Sequence, residues 1–161
     1  MKKLLLSVCC APCATVAIER LKDEYDVTLF FWGDNLDCVE EYQKRLDATR
    51  KIADVSSLPL LVAEYRPVQP ENCGHCFIRR LGATAGEGFP FFATTLTTSP
   101  HKDADVINDI GGRFDGYVAT DFKKKNGFAR SVELSKKYGL YRQNYCGCGR
   151  SVKNKFFTND E

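Results

Sequence analysis

Three tight cysteine clusters, Cys9-Cys10-Ala11-Pro12-Cys13, Cys73-Gly74-His75-Cys76 and Cys146-Gly147-Cys148, hold seven of the eight cysteines of this 161-residue chain. They lie in its first, middle and last parts, so a fold that uses them together must bring distant segments to one place. Thiols two or three residues apart can point the same way and converge on a soft metal, the setting that zinc and iron-sulfur clusters favour. The chain opens on Met1-Lys2-Lys3-Leu4-Leu5-Leu6-Ser7-Val8, which has the basic start of a secretory leader but only a short apolar stretch before Cys9. No segment approaches the roughly 20 apolar residues that span a bilayer. The expectation is a cytoplasmic protein with no membrane partner, and in that reducing compartment cysteines at this density imply metal binding or catalysis more than a disulfide framework.

The course of the apolar residues points to an α/β fold. Leu4 to Val8 is a continuous apolar run, as in a strand buried on both faces. Ala14 to Leu21 has helical spacing, with Pro12 at its start, where proline is tolerated. Val27 to Trp32 reads as a second strand, 38 to 55 as a charged amphipathic helix, Leu60 to Ala63 as a third strand, Cys76 to Ala83 as a helix and Phe91 to Thr95 as a fourth strand. Helical patterns follow at about 101 to 111 and 127 to 138. Strands alternating with helices predict a three-layer parallel sheet with helices on both faces. Ligands of such sheets sit beyond the carboxyl ends of the strands where strand order reverses, and Cys9, Cys10 and Cys13 fall at such an end.

Length allows one domain over 1–161 with a proper core, and 43% hydrophobic with 27% charged residues excludes disorder. A net charge of +2 hides an asymmetry: residues 1 to 120 balance to −4, and a basic helical part from about 121 balances to +6. Such a tail suits a polyanion such as nucleic acid, and a solvated face is the plain alternative.

Seven thiols exceed one tetrahedral site, whereas four for a cubane and three for a neighbouring metal fit. Spacing alone leaves the assignment open. A structural zinc site of Cys73, Cys76, Cys146 and Cys148 would leave the first cluster unexplained, and a thioredoxin-like dithiol at Cys10 and Cys13 would leave Cys9 and both other pairs unemployed. Cys38 stands alone and is expected to be a small buried hydrophobe. His75 and His101 are possible ligands, with surface roles commoner.

Further motifs stand in order along nearly the whole chain: Cys9-Cys10-Ala11-Pro12-Cys13, Glu40-Glu41-Tyr42 with Arg45, Cys73-x-x-Cys76 with Arg79 and Leu81, and Thr94-Thr95-Leu96 with Ser99-Pro100 and Lys102. Asp121-Phe122-Lys123-Lys124, Arg130-Ser131 with Glu133-Leu134-Ser135, and Tyr138-Gly139-Leu140-Tyr141-Arg142-Gln143-Asn144-Tyr145-Cys146-Gly147-Cys148 complete the set. In these blocks the chain resembles the cobalamin-independent epoxyqueuosine reductases, the QueH family. There are two departures. Trp32-Gly33-Asp34-Asn35 stands where an Asn-Pro type turn is expected, and Cys13 stands where the family can carry a carboxylate.

The resemblance implies a fold akin to the adenine nucleotide alpha hydrolases (HUP), a [4Fe-4S] cluster beside a further mononuclear iron, and reductive deoxygenation of epoxyqueuosine in tRNA to queuosine. Within it, Cys9, Cys10, Cys73 and Cys76 are expected to hold the cubane, and Cys13, Cys146 and Cys148 a catalytic second iron. Partners are tRNA carrying epoxyqueuosine at the wobble position and an electron donor that the sequence does not name. A flipped base is expected to meet Tyr141, Arg142, Gln143 and Phe122, and phosphates to meet Lys123, Lys124, Lys125, Arg130, Arg142 and Arg150. Thr94, Thr95, Ser99, Lys102 and Asp121 form a strand-end region suited to hydroxyls or phosphate, though such residues more often cap the next helix. Two rivals remain. A tRNA-thiolating enzyme of the same fold would want a Ser-Gly-Gly-x-Asp-Ser type loop where Ser7-Val8-Cys9-Cys10 stands, and a zinc-stabilised RNA-binding module would hold zinc alone.

Overall fold

The computed structural model describes residues 1–143; Cys146, Cys148 and Arg150 lie outside the described residues. Strand β1 (Lys2–Val8) is followed by α1 (Ala11–Leu21), β2 (Tyr25–Phe31), α2 (Val39–Ser56), β3 (Leu60–Val62), α3 (Cys73–Ala85), β4 (Phe91–Thr94), α4 (Ala104–Gly111) and α5 (Gly127–Tyr138). A 3-10 turn over Thr95–Thr98 extends β4. The four strands form one parallel sheet in the order β3-β2-β1-β4.

That order explains the two helical layers. Alternation along β1 sends Leu4, Leu6 and Val8 to one face, where they pack with Val16 and Ala17 of α1 and Ile52 of α2. Leu5 points to the other face, toward Phe77 and Leu81 of α3 and Ile107 and Ile110 of α4. The chain moves outward from β1 through β2 to β3, then returns past β1 to β4. Crossovers of one hand therefore place α1 and α2 on one face and α3 on the opposite one. The expected three-layer parallel architecture is what the chain adopts. No helix among the described residues is long and apolar enough to cross a membrane.

Where boundaries differ from the pattern, caps account for it. α3 starts at Cys73 rather than Cys76, because Asn72 accepts a hydrogen bond from the His75 amide at 2.8 Å. α4 starts at Ala104, where the Asp103 carboxylate accepts from the amides of Asp105 and Val106. α1 begins three residues earlier than its apolar spacing suggests, with Pro12 in its first turn. Ahead of α5, Lys125 and Asn126 both adopt left-handed backbone, and Gly127 follows where a Cβ would lie 1.5 Å from the Phe122 carbonyl oxygen. Only glycine lets the chain turn that tightly, and the turn sets α5 against α1.

Candidate metal centre

β1 lies between β2 and β4, and the direction of strand addition reverses between β1 and β4. The crevice beyond their carboxyl ends is the switch point at which such sheets bind ligands. From β1 it receives Cys9, Cys10 and Cys13, and from β4 it receives Thr95 to Ser99.

Cys10 is the extended residue that begins α1, and Cys13 sits in the helix's first turn. The sulfurs of Cys9, Cys10 and Cys13 all lie within 4.8 Å of one another. Cys10 is buried, and the other two are half-buried. The unpaired amides of the first helical turn and the helix dipole favour negative charge there.

The loop is held from β4. The Thr95 hydroxyl oxygen accepts from the Cys9 amide at 3.1 Å and lies 3.3 Å from Cys9 Sγ. With its lone pair taken up by the amide, the hydroxyl has its proton to give to a Cys9 thiolate. Three residues on, Thr98 Oγ1 donates to the Cys13 carbonyl at 3.1 Å.

The three thiols do not share charge evenly. Hydrogen bonds from Cys10 and then Cys13 hold Cys9 well below the ordinary thiol range; the charges of Lys102 and Arg80 assist, against burial. For Cys10, the bond with Cys13 pulls downward, but the bond to Cys9, burial and the Cys9 charge outweigh it, and the thiol is pushed up to about 12. Cys13 is raised well above the usual range by hydrogen bonding to Cys10 and Cys9 and by burial. The cluster thus carries negative charge most readily on Cys9, while Cys10 and Cys13 hold their protons more tightly than an ordinary thiol.

Such a donor set fits a soft metal. Three sulfurs with no carboxylate among them select zinc, iron or copper(I) over magnesium or calcium. Metal–sulfur bonds of about 2.3 Å put tetrahedral ligand sulfurs roughly 3.8 Å apart, so rotation about the side-chain bonds would bring this triad onto one ion. Among the described residues the group offers three protein ligands, one short of a tetrahedral set.

The geometry places the other expected site residues as follows. Cys13 stands in one group with Cys9 and Cys10; Cys73, exposed, and Cys76, buried, lie outside that group at the start of α3. Cys38 is a correction: it is exposed rather than buried, and its sulfur caps α2 by accepting from the Glu41 amide at 3.4 Å. Thr94 is fully buried and caps the 3-10 turn, accepting from the Leu96 amide at 3.2 Å. Ser99 accepts from the His101 amide. Lys102 and Asp121 come together in a groove of about 440 Å³ with His101, Asp103, Asp105 and Lys123. Lys123 is committed there, donating to the Thr97 and Lys102 carbonyls and pairing with Asp121 at 3.7 Å.

Phe122 is in the core packed around α1. Arg130 pairs with Glu19 at 2.7 Å and with Glu133, while Lys124 and Lys125 are exposed. Tyr141 donates through its hydroxyl to Glu41 at 2.7 Å, and Arg142 and Gln143 are half-buried beside it.

Two residues escaped the sequence reading. Thr98 is the second tie on the cysteine loop. Arg80 is buried beside Cys9 and contacts the ends of both β1 and β2. Its signal was its place four residues after Cys76 on the same helix face, but Arg79-Arg80 does not say which arginine turns inward.

A doubly wound parallel sheet with a thiol triad at its switch point defines an α/β protein equipped with a cysteine cluster that could hold a metal ion. Comparison with known proteins narrows that class. The family model described as epoxyqueuosine reductase QueH matches residues 4–154. The epoxyqueuosine reductase QueH of Streptococcus pyogenes is 36% identical over 179 aligned positions, covering 93% of this chain and 70% of its own length. That of Thermotoga maritima is 32% identical, covering 92% and 89%, and that of Dehalococcoides mccartyi 32%, covering 96% and 94%. The chain belongs to the epoxyqueuosine reductase QueH family. It is therefore an oxidoreductase of queuosine biosynthesis, as the motifs implied.

Proposed function

We propose that this chain removes the epoxide oxygen of epoxyqueuosine at the wobble position of tRNA, using a [4Fe-4S] cluster and a further iron held by its clustered cysteines. The single observation that carries the reading is the thiol triad of Cys9, Cys10 and Cys13 at the switch point of the parallel sheet, in a chain of this family. Cys73, Cys76, Cys146 and Cys148 supply the remaining donors.

When bound, the iron centre supplies electrons one at a time and a Lewis acid for the departing oxygen. The chain's own residues prepare the place. Thr95 and Thr98 fix the loop so that its sulfurs face the crevice. Cys10 and Cys13 are protonated before loading and give up those protons as metal binds. The groove at Lys102 and Asp121 lies in the segment that follows the β4 turn, and the Lys102 charge favours the Cys9 thiolate. A wobble base swung out of its stack enters there, with Asp121 and Lys102 as polar contacts for its edge and side arm. Lys124 and Lys125, exposed ahead of α5, meet phosphate, whereas Arg130 is occupied by two carboxylates and contributes less. Affinity for tRNA therefore falls steeply with salt.

The test is incubation of anaerobically reconstituted protein and a reductant with epoxyqueuosine-containing tRNA, followed by nucleoside mass spectrometry. Conversion to queuosine is expected. Iron-free protein with zinc bound, and no conversion, would sink the reading.

A further inference from the structure

α3 turns Cys76, Phe77, Arg80, Leu81 and Thr84 into the protein, and Arg80 is only 2% exposed. Its Nη1 donates to the Trp32 carbonyl at 3.0 Å and the Val8 carbonyl at 3.5 Å, and its Nη2 to Asn35 Oδ1 at 2.9 Å. The guanidinium rests 5.0 Å from the Trp32 ring centroid. All of these partners are neutral. No carboxylate pairs with Arg80 among the described residues, and its Nε is buried without a hydrogen-bond partner.

A guanidinium cannot shed its proton, so a buried one needs an anion nearby. The anion on this side of the sheet is sulfur: Arg80 Nη1 reaches the Val8 carbonyl, one residue before Cys9, and Cys9 packs against the same cluster of Trp32, Phe77 and Leu81 that flanks Arg80. Period-two alternation puts Ser7 on the same face as Leu5 and Cys9, and the Ser7 hydroxyl is also buried without a partner. Beneath Cys9 lies a patch with spare positive charge and spare hydrogen-bonding capacity.

We propose that Arg80 is a positioning residue for the metal centre: its guanidinium is the built-in counter-charge of the metal-bound cysteine sulfurs and sets the centre's reduction potential. The proposal rests on the iron-centre reading above. Cluster potentials depend on net charge, hydrogen bonds to sulfur and solvent exposure, and Arg80 supplies the first and can supply the second. Taking its charge away disfavours the reduced, more negative state, and the potential falls.

The experiment is a redox titration, followed by optical and electron paramagnetic resonance spectra, of reconstituted wild type, Arg80→Met, Arg80→Lys and Asn35→Asp. The last variant sets a carboxylate against Nη2 with no change of shape, so it neutralises Arg80 even where Arg80→Met does not fold. Arg80→Met and Asn35→Asp are expected to shift the ratio of reduced to oxidised centre at least about tenfold toward oxidised, ~59 mV for one electron. Arg80→Lys, which keeps the charge, is expected to stay nearer wild type. A purely structural role would leave the Asn35→Asp potential at the wild-type value, and that result overturns the inference alone. A wild type that assembles no iron-sulfur chromophore overturns the iron reading, and the inference with it.

Discussion

Two arginines are buried on opposite sides of the cysteine loop, and their surroundings differ in one respect that decides what each does. Arg45 of α2, 3% exposed, gives its Nε to the Glu41 carboxylate at 2.6 Å, and Tyr141 donates to the other oxygen of that carboxylate. Arg80 of α3 is as deeply buried but meets only uncharged partners: carbonyls, an amide and the Trp32 ring. Both charges reach the thiols, Arg45 at Cys10 and Arg80 at Cys9. On the α2 side, however, the positive charge is cancelled where it stands, and the pair joins α2 to the segment that leads toward Cys146. On the α3 side it remains to be cancelled by whatever the sulfurs hold. Equal burial of the same residue type thus yields a structural tie in one place and an electrostatic device in the other.

The comparison can be broken at several points. Glu41→Ala removes the carboxylate facing Arg45, and loss of one partner of a buried pair costs about 3–5 kcal/mol, read from urea unfolding of the metal-free protein. A loss below about 1 kcal/mol would show the pair to be solvated and the contrast with Arg80 void. Tyr141→Phe takes away a hydrogen bond to a charged group, worth about 1.5–3 kcal/mol in the same assay, and should loosen the backbone next to Tyr141 first in hydrogen exchange.

The pH dependence of the metal-free protein follows from the thiols. Cys9 is depressed, so its contribution is present above the unfolded thiol value of about 8.5 and is lost as pH falls toward its folded value. Cys10 and Cys13 are raised, so their contribution is present below about 8.5 and is lost as pH climbs. Stability should peak near the ordinary thiol range, with slopes of about 1.4 kcal/mol per pH unit for each proton concerned. A flat profile from pH 6 to 10 would contradict the unequal sharing of charge. Smallest is the exposed pair Arg66–Glu64, whose side chains are about three-quarters exposed; Glu64→Ala should change stability by less than about 0.5–1 kcal/mol.

How much of this could be read from the sequence differs between the loop and its neighbours. Leu4–Val8 marks a strand buried on both faces and Pro12 a helix start, so the cysteine loop between them is placed by sequence alone. The sheet's other strands were legible for the same reason, since their apolar runs match the pleat. What sequence could not supply was orientation about a helix axis and contact across the sheet. Arg80 and Arg79 are adjacent, and only packing against Trp32 selects one. Thr95 reads in sequence as a residue suited to hydroxyls or phosphate; its grip on Cys9 is a contact spanning 86 positions that no local pattern encodes. A lone cysteine such as Cys38 reads as a small apolar residue because most are; here its sulfur replaces the oxygen of a conventional helix cap.

The register of β1 with β4 has a mechanical consequence. Leu4 to Ser7 pair residue by residue with Phe91 to Thr94, so the two walls of the crevice are neighbouring rungs of one ladder. Prising them apart would tear backbone hydrogen bonds out of the middle of the sheet. Between these two strands the mouth at the cysteine loop is therefore a mould of fixed width.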